Sequence, residues 1–150
     1  MPDASFVGRV LPPTEPYRVS REKIREFALA VGEGASVCHE VEAARAAGYP
    51  DLVAPPTFAV TFTLPVMEAF VRDPEFGWDY SRMVHGDQTF IAHRPIHAGD
   101  ELVTVLHVDE LGTRAGSHML TLRCEVADTA GEPVLTTTAL LVSRAAEEES

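Results

Sequence analysis

APPTFAVTFTLPVMEAFVRD, residues 54–73, can be read two ways. Phe58, Val60, Phe62 and Leu64 alternate with smaller residues, the period of a strand with one face in a core. The apolar run nevertheless continues through Val66, Met67, Ala69, Phe70 and Val71, too long for one strand and apolar around the whole circumference of a helix. A helix of that kind must be buried, so the stretch is expected to form the centre of the molecule, with Pro65 at a kink or local irregularity.

What surrounds it is consistent with that role. From Tyr80 onward the chain is rich in β-branched residues, and SHMLTLRCEVAD alternates Leu120, Leu122, Cys124 and Val126 with Thr121, Arg123 and Glu125. The turn-like stretches LGTRAG and DTAGEP separate the last three such segments, and connections this short join antiparallel neighbours. The C-terminal half therefore reads as an antiparallel meander that curves over the apolar helix, an α+β domain. On the N-terminal side, four prolines in the first twenty residues indicate extended chain ending at Ser20, an N-cap. REKIREFALAVG then places Ile24, Phe27, Ala28 and Val31 on one helical stripe closed by Gly32, and EVEAARAAG predicts a short helix stopped by Gly48.

Composition narrows the function. At 150 residues with 45% apolar content the chain makes one domain, expected over 1–144 with an acidic tail at 145–150. A net charge of −11, with Lys23 the only lysine, disfavours nucleic acid as a partner. The uncharged run from Leu52 to Met67 is too short and too interrupted by proline to span a bilayer. Cys38 and Cys124 lie far apart without metal-type spacing, and the N-terminus has no apolar signal core, so a cytoplasmic protein with reduced thiols is expected.

The order REKIREFALAVGE, EAARAAGYPDLVAPPTF, VHGDQTFIAHRPIHAGDEL and LLVSR resembles the MaoC-like dehydratases. Within them it is similar to the N-terminal (FAS1-like) dehydratase domain and to the A-type subunits of (R)-3-hydroxyacyl-acyl carrier protein dehydratases. The resemblance runs over about residues 5 to 144, and APPTF and RPIHAGD are its most specific phrases. It implies a hot-dog fold, in which a curved antiparallel sheet wraps one long central helix at about 57 to 71. It also implies reversible dehydration of a hydroxyacyl thioester held on coenzyme A or acyl carrier protein, in a homodimer or heterodimer that covers an edge strand. No cofactor and no metal are expected.

That reaction needs a base for the α-proton, an acid for the departing hydroxyl and a donor for the thioester oxygen. Active members of the family carry the first two in a loop close to G-D-x-N-P-x-H. Laid on GEGASVCHE, residues 32–40, the loop keeps Gly32, has Glu33 at the Asp position and Ala35-Ser36 at Asn-Pro, and has Cys38 at the imidazole position with His39 one residue late. The donor in the family is a glycine amide in a phrase like A-H-G. Aligning Ala54 with its alanine puts Pro56 at that glycine, and proline has no N–H; the Thr57 amide is the available replacement. The resemblance thus assigns Glu33 and His39 as altered catalytic positions, and Cys38, Pro56, Thr57, Phe58 and His85 as substrate-binding.

Three functions remain open on this reading. The chain is a degenerate acyl-accommodating subunit beside a motif-bearing partner, or a self-sufficient hydro-lyase using Glu33 with His39 or His85, or a non-enzymatic acyl-thioester binding module. His93 and His97 flank RPI at a spacing some zinc sites use, but no third or fourth ligand is evident in the sequence. Cys124 reads as a small core residue, Trp78 and Tyr80 as an aromatic cap on the central helix, and Arg21, Lys23, Arg25 and Arg94 as scattered contributors to any docking patch for an acidic carrier.

Overall fold

Three long strands carry the alternation forward. β1 (Tyr17–Arg18), β2 (Met83–Ala92), β3 (Glu101–Arg114), β4 (Ser117–Asp128) and β5 (Pro133–Arg144) form one antiparallel sheet in the order β1-β3-β4-β5-β2. This is a computed structural model that describes residues 2–144; the acidic tail expected at 145–150 lies outside the described residues. On β4 the inward residues Leu120, Leu122, Cys124 and Val126 are buried, while Thr121, Arg123 and Glu125 face outward. Arg123 there bridges to Asp109 on β3 at 2.9 Å and to Glu125 at 2.6 Å.

The β3–β4 connection is a two-residue hairpin loop, Ala115-Gly116, with φ of 50° and 75°. Its left-handed geometry matches the strand twist, and alanine is a poor occupant of it. Ala115→Asn is expected to stabilise the protein by about 0.5–1 kcal/mol, a rise of about 2 °C in the thermal midpoint by calorimetry.

The two borders of the sheet differ. Residues 8–14 run along β3: Val108 carbonyl accepts the Gly8 amide at 2.8 Å, Leu106 carbonyl the Leu11 amide at 2.9 Å, and Thr104 carbonyl the Thr14 amide at 3.0 Å. Nothing among the described residues pairs with the outer side of β2, where Val84 is 53% and Ile91 60% exposed. A bulge between His85 and Asp87 interrupts that strand.

The 54–73 stretch is helical where the apolar run is longest. α3 (Val60–Val71) lies in the curve of the sheet and passes through Pro65 without interruption. It starts about three residues later than the resemblance implied. Pro55 and Pro56 lack amides, and the chain between them and Val60 is a tight turn, with Phe58 N–H donating to the Pro55 carbonyl at 3.0 Å and Val60 N–H to the Thr57 carbonyl at 3.1 Å. Burial on every side is corrected as well. Phe62, Thr63, Met67, Phe70 and Val71 are buried, but Pro65 and Ala69 face outward, so the missing amide falls on an open flank.

The core has two parts along this helix. Phe58 and Phe62 join Ile24 and Ala28 of α1 (Arg21–Val31), Leu52 and Val126; Met67 and Phe70 join Phe76, Trp78, Leu106, Leu122 and Leu141. Trp78 stacks on Phe76 and Tyr80 lies under Arg72, the aromatic cap expected at that helix end. α1 has the expected caps, with Ser20 Oγ accepting the Lys23 amide at 3.1 Å and Gly32 left-handed at φ 75°. Its stripe ends at Ala28, because Val31 is 52% exposed. The short helix α2 (Val41–Ala46) follows.

Candidate functional site

Gly32 turns the chain out of α1 into the loop, and a single 3-10 turn, Ser36–Cys38, drops Cys38 into the core at 3% exposure. The side chains of Glu33 and His39 are spent on the loop itself. Glu33 Oε1 accepts the Ala35 amide at 3.0 Å, and His39 Nε2 lies 2.7 Å from the Glu33 carbonyl, to which it donates. Arg25 Nε donates to the His39 carbonyl at 3.0 Å, fixing the far end. Burial, then the neighbouring Glu33 charge, pushes the Cys38 thiol above its usual range.

Beside this loop is a cavity of about 480 Å³. Glu33, Ala35, Val37 and Cys38 form one wall, residues 53–56 the second, and residues 92–96 with Leu135 the third. The last two walls are tied together, since the Ala54 amide donates to the Ile96 carbonyl at 2.8 Å and the Ala98 amide to the Leu52 carbonyl at 2.9 Å. The space is of ligand size and mostly apolar, with Glu33 and Arg94 its charged groups.

Of the residues assigned to catalysis or substrate binding in the sequence, the structure brings Glu33, Cys38 and Pro56 to this cavity. His39 is turned into its own loop and is not on the wall. Thr57 is exposed beside Pro56, off the wall, and its amide has no acceptor among the described residues. Phe58 is fully buried, packed edge-on against Phe27 with ring centres 5.6 Å apart. His85 sits at the β2 bulge, seven positions from Ala92 and so roughly 20 Å along the strand from the cavity, and is not brought together with Glu33.

The third wall was missed as a site. Arg94 is clamped by Asp100, with Nη1 to Oδ2 and Nη2 to Oδ1 both at 2.9 Å, and Asp100 is 7% exposed. The His97 amide also donates to Asp100 Oδ2 at 2.9 Å. The signal was present in RPIHAGD, an arginine and an aspartate six apart around a Pro and a Gly. His93 Nε2 is 3.2 Å from Thr136 Oγ1 and His97 Nδ1 3.0 Å from the Ala98 carbonyl, and no group of three or more metal-ligating side chains stands together among the described residues.

Both thiols are held neutral by burial, Cys124 pushed up to about 12. Native protein treated with iodoacetamide at mildly alkaline pH is expected to label Cys124 only on unfolding and Cys38 slowly, as read by intact mass.

The chain matches the family described as "FAS1-like, dehydratase domain region" over residues 5–137. It belongs to that family. Among relatives of this FAS1-like dehydratase-region protein, a UPF0336 protein of Saccharopolyspora erythraea is 53% identical over 147 residues, covering 98% of this chain and 94% of the relative. Among solved structures, the C-terminally truncated HadBC (3R-hydroxyacyl-ACP dehydratase) complex of Mycobacterium tuberculosis superposes with a TM-score of 0.84 at 30% identity, covering 92% of this chain and 97% of the other. A MaoC-like dehydratase superposes with a TM-score of 0.87 at 32% identity, over 95% of this chain and 43% of that one, so the chain spans less than half of that neighbour. The fold is the hot-dog. No helix among the described residues is long and apolar enough to cross a membrane.

Proposed function

We propose that this chain is the acyl-accommodating component of an (R)-3-hydroxyacyl-thioester dehydratase and pairs with a second hot-dog chain that carries a complete acid–base loop. The observation that supports this most is the state of residues 33–39. Dehydration requires one group to take the proton next to the thioester carbonyl and another to deliver a proton to the leaving hydroxyl. Here the carboxylate caps its own loop, the imidazole is bonded to the Glu33 backbone, and the residue facing the cavity at the imidazole position is a buried neutral thiol. Pro56 meanwhile offers no amide to the developing oxyanion. What the cavity retains is a mostly apolar wall, suited to an acyl chain.

The open side of β2 supports the pairing. Ten residues of strand with two exposed aliphatic side chains form an unpaired edge, and a second strand laid against it would satisfy its backbone groups. HadBC, one of the solved relatives, is itself a complex. The test is enoyl-thioester hydration by the purified chain alone and after mixing with a hot-dog chain bearing G-D-x-N-P-x-H. No turnover alone and turnover on mixing is the expected result; turnover by the chain alone at rates ordinary for such enzymes sinks the proposal. A self-sufficient homodimer is the second reading, favoured by the place of the Glu33 side chain on the cavity wall. It requires that Glu33→Gln abolish turnover by the chain alone.

A further inference from the structure

We infer that Arg94 is a specificity-determining residue of the cavity, donating a hydrogen bond from Nε to a neutral carbonyl oxygen of the ligand's thioester or pantetheine arm. The inference rests on the acyl-thioester reading above and adds to it which group of the ligand is recognised, and by what. Among the described residues Arg94 is the only arginine or lysine on the cavity wall. Its Nη1 serves Asp100 and the Pro95 carbonyl, and its Nη2 serves Asp100 and faces Asp128 at 3.8 Å. Nε–H has no acceptor among the described residues, although the side chain is 31% exposed and on the wall.

Charge decides what that donor accepts. Arg94, Asp100 and Asp128 together hold one positive and two negative charges, and Glu33 adds another negative group to the same cavity. A phosphate dianion brought here would meet a field that is net negative, with the guanidinium already neutralised by a two-point clamp. A carbonyl oxygen carries no net charge and needs one donor. The clamp also fixes the guanidinium plane, so the donor is held in place before the ligand arrives and loses little freedom on binding. Asp100 is in this sense a positioning residue: it also holds the His97 amide, and with it the segment that forms the third wall.

The test measures binding of matched probes by calorimetry to the full chain: octanoyl-pantetheine, its thioether counterpart octyl-pantetheine, octanoyl-CoA, and octanol. Arg94→Met is expected to weaken octanoyl-pantetheine about tenfold or more and to leave octanol within about twofold. Arg94→Lys is not expected to rescue, because an ammonium cannot keep the clamp and present Nε at once. Wild-type preference for thioester over thioether, lost in Arg94→Met, locates the contact at the thioester carbonyl. Equal wild-type binding of the two, with both weakened by the substitution, locates it at an amide carbonyl of the arm.

Three results overturn the inference. If octanol falls as much as octanoyl-pantetheine, Arg94 acts only through the wall's shape. If octanoyl-CoA alone loses affinity, the contact is to phosphate. If wild type and Arg94→Met bind every probe equally, the donor is unused although the acyl-thioester reading stands. Wild-type protein that binds none of the acyl probes removes that reading and the inference with it. Because loss of Arg94 leaves Asp100 without its clamp, Arg94→Met with Asp100→Asn is measured alongside; the same selective loss of pantetheine probes is expected from this better-balanced variant.

Discussion

Rebuilding the loop with Glu33→Asp, Ala35→Asn, Ser36→Pro and Cys38→His should give the isolated chain measurable hydration of an enoyl thioester, about 100-fold above the uncatalysed background. A positioned acid–base pair contributes roughly 10² to 10⁴ in rate, and the lower figure applies because Pro56 still withholds the oxyanion donor. Adding Pro56→Gly should raise the rate by about another 100-fold. Cys38 already sits on the cavity wall, so an imidazole placed there starts on the correct side of the backbone. Cys38→His alone should do little, since the Glu33 carboxylate stays engaged with the Ala35 amide. The readout is loss of the enoyl-thioester absorbance. A variant that keeps its fold and still binds acyl-pantetheine but hydrates nothing would show that the lost residues are not what limits the chain.

Phe58→Ala is expected to cost about 3–5 kcal/mol in stability, which for a chain of this size lowers the thermal midpoint by roughly 10 °C. Phe58 has no exposed surface, its ring meets Phe27 at 5.6 Å and Phe62 at 6.3 Å, and these contacts join α1 to the head of α3. A cavity left there cannot be closed by the neighbouring turn, which the two prolines hold stiff. Denaturant unfolding should shift its midpoint with the slope unchanged. The sequence-based assignment of Phe58 to substrate binding makes the opposite forecast, weaker acyl binding with little change in stability, and the two measurements separate them.

These cases show where the sequence is readable. β4 and β5 were legible because, beyond the adjacent buried pair Val134 and Leu135, each inward residue lies two from the next, a signal carried within a few positions of chain. α3 was legible in spite of its alternating start, because length outweighed period. Its first turn was not, since what Pro55 and Pro56 do to the entry depends on the Ile96 carbonyl receiving the Ala54 amide from forty-two positions away in the chain. The same long-range ladder is why Arg94 read as a loose surface charge and not as part of a wall. The altered loop was found by the resemblance to the family motif, but a motif does not say which way a ring turns. That His39 bonds the Glu33 carbonyl is a property of the folded loop, and it bears on function more than the offset of one residue did.

The strap of residues 8–14 along β3 sets a limit on growth. Among the described residues the outer side of β2 is the long strand edge left uncovered, since the strap lies along β3, so two such units joined side by side through β2 would close off each other's long edge. A sheet open along both long edges can go on adding neighbours; with one covered, assembly through β2 stops at two, and a chain whose first fourteen residues were deleted should lose that restraint and form larger species.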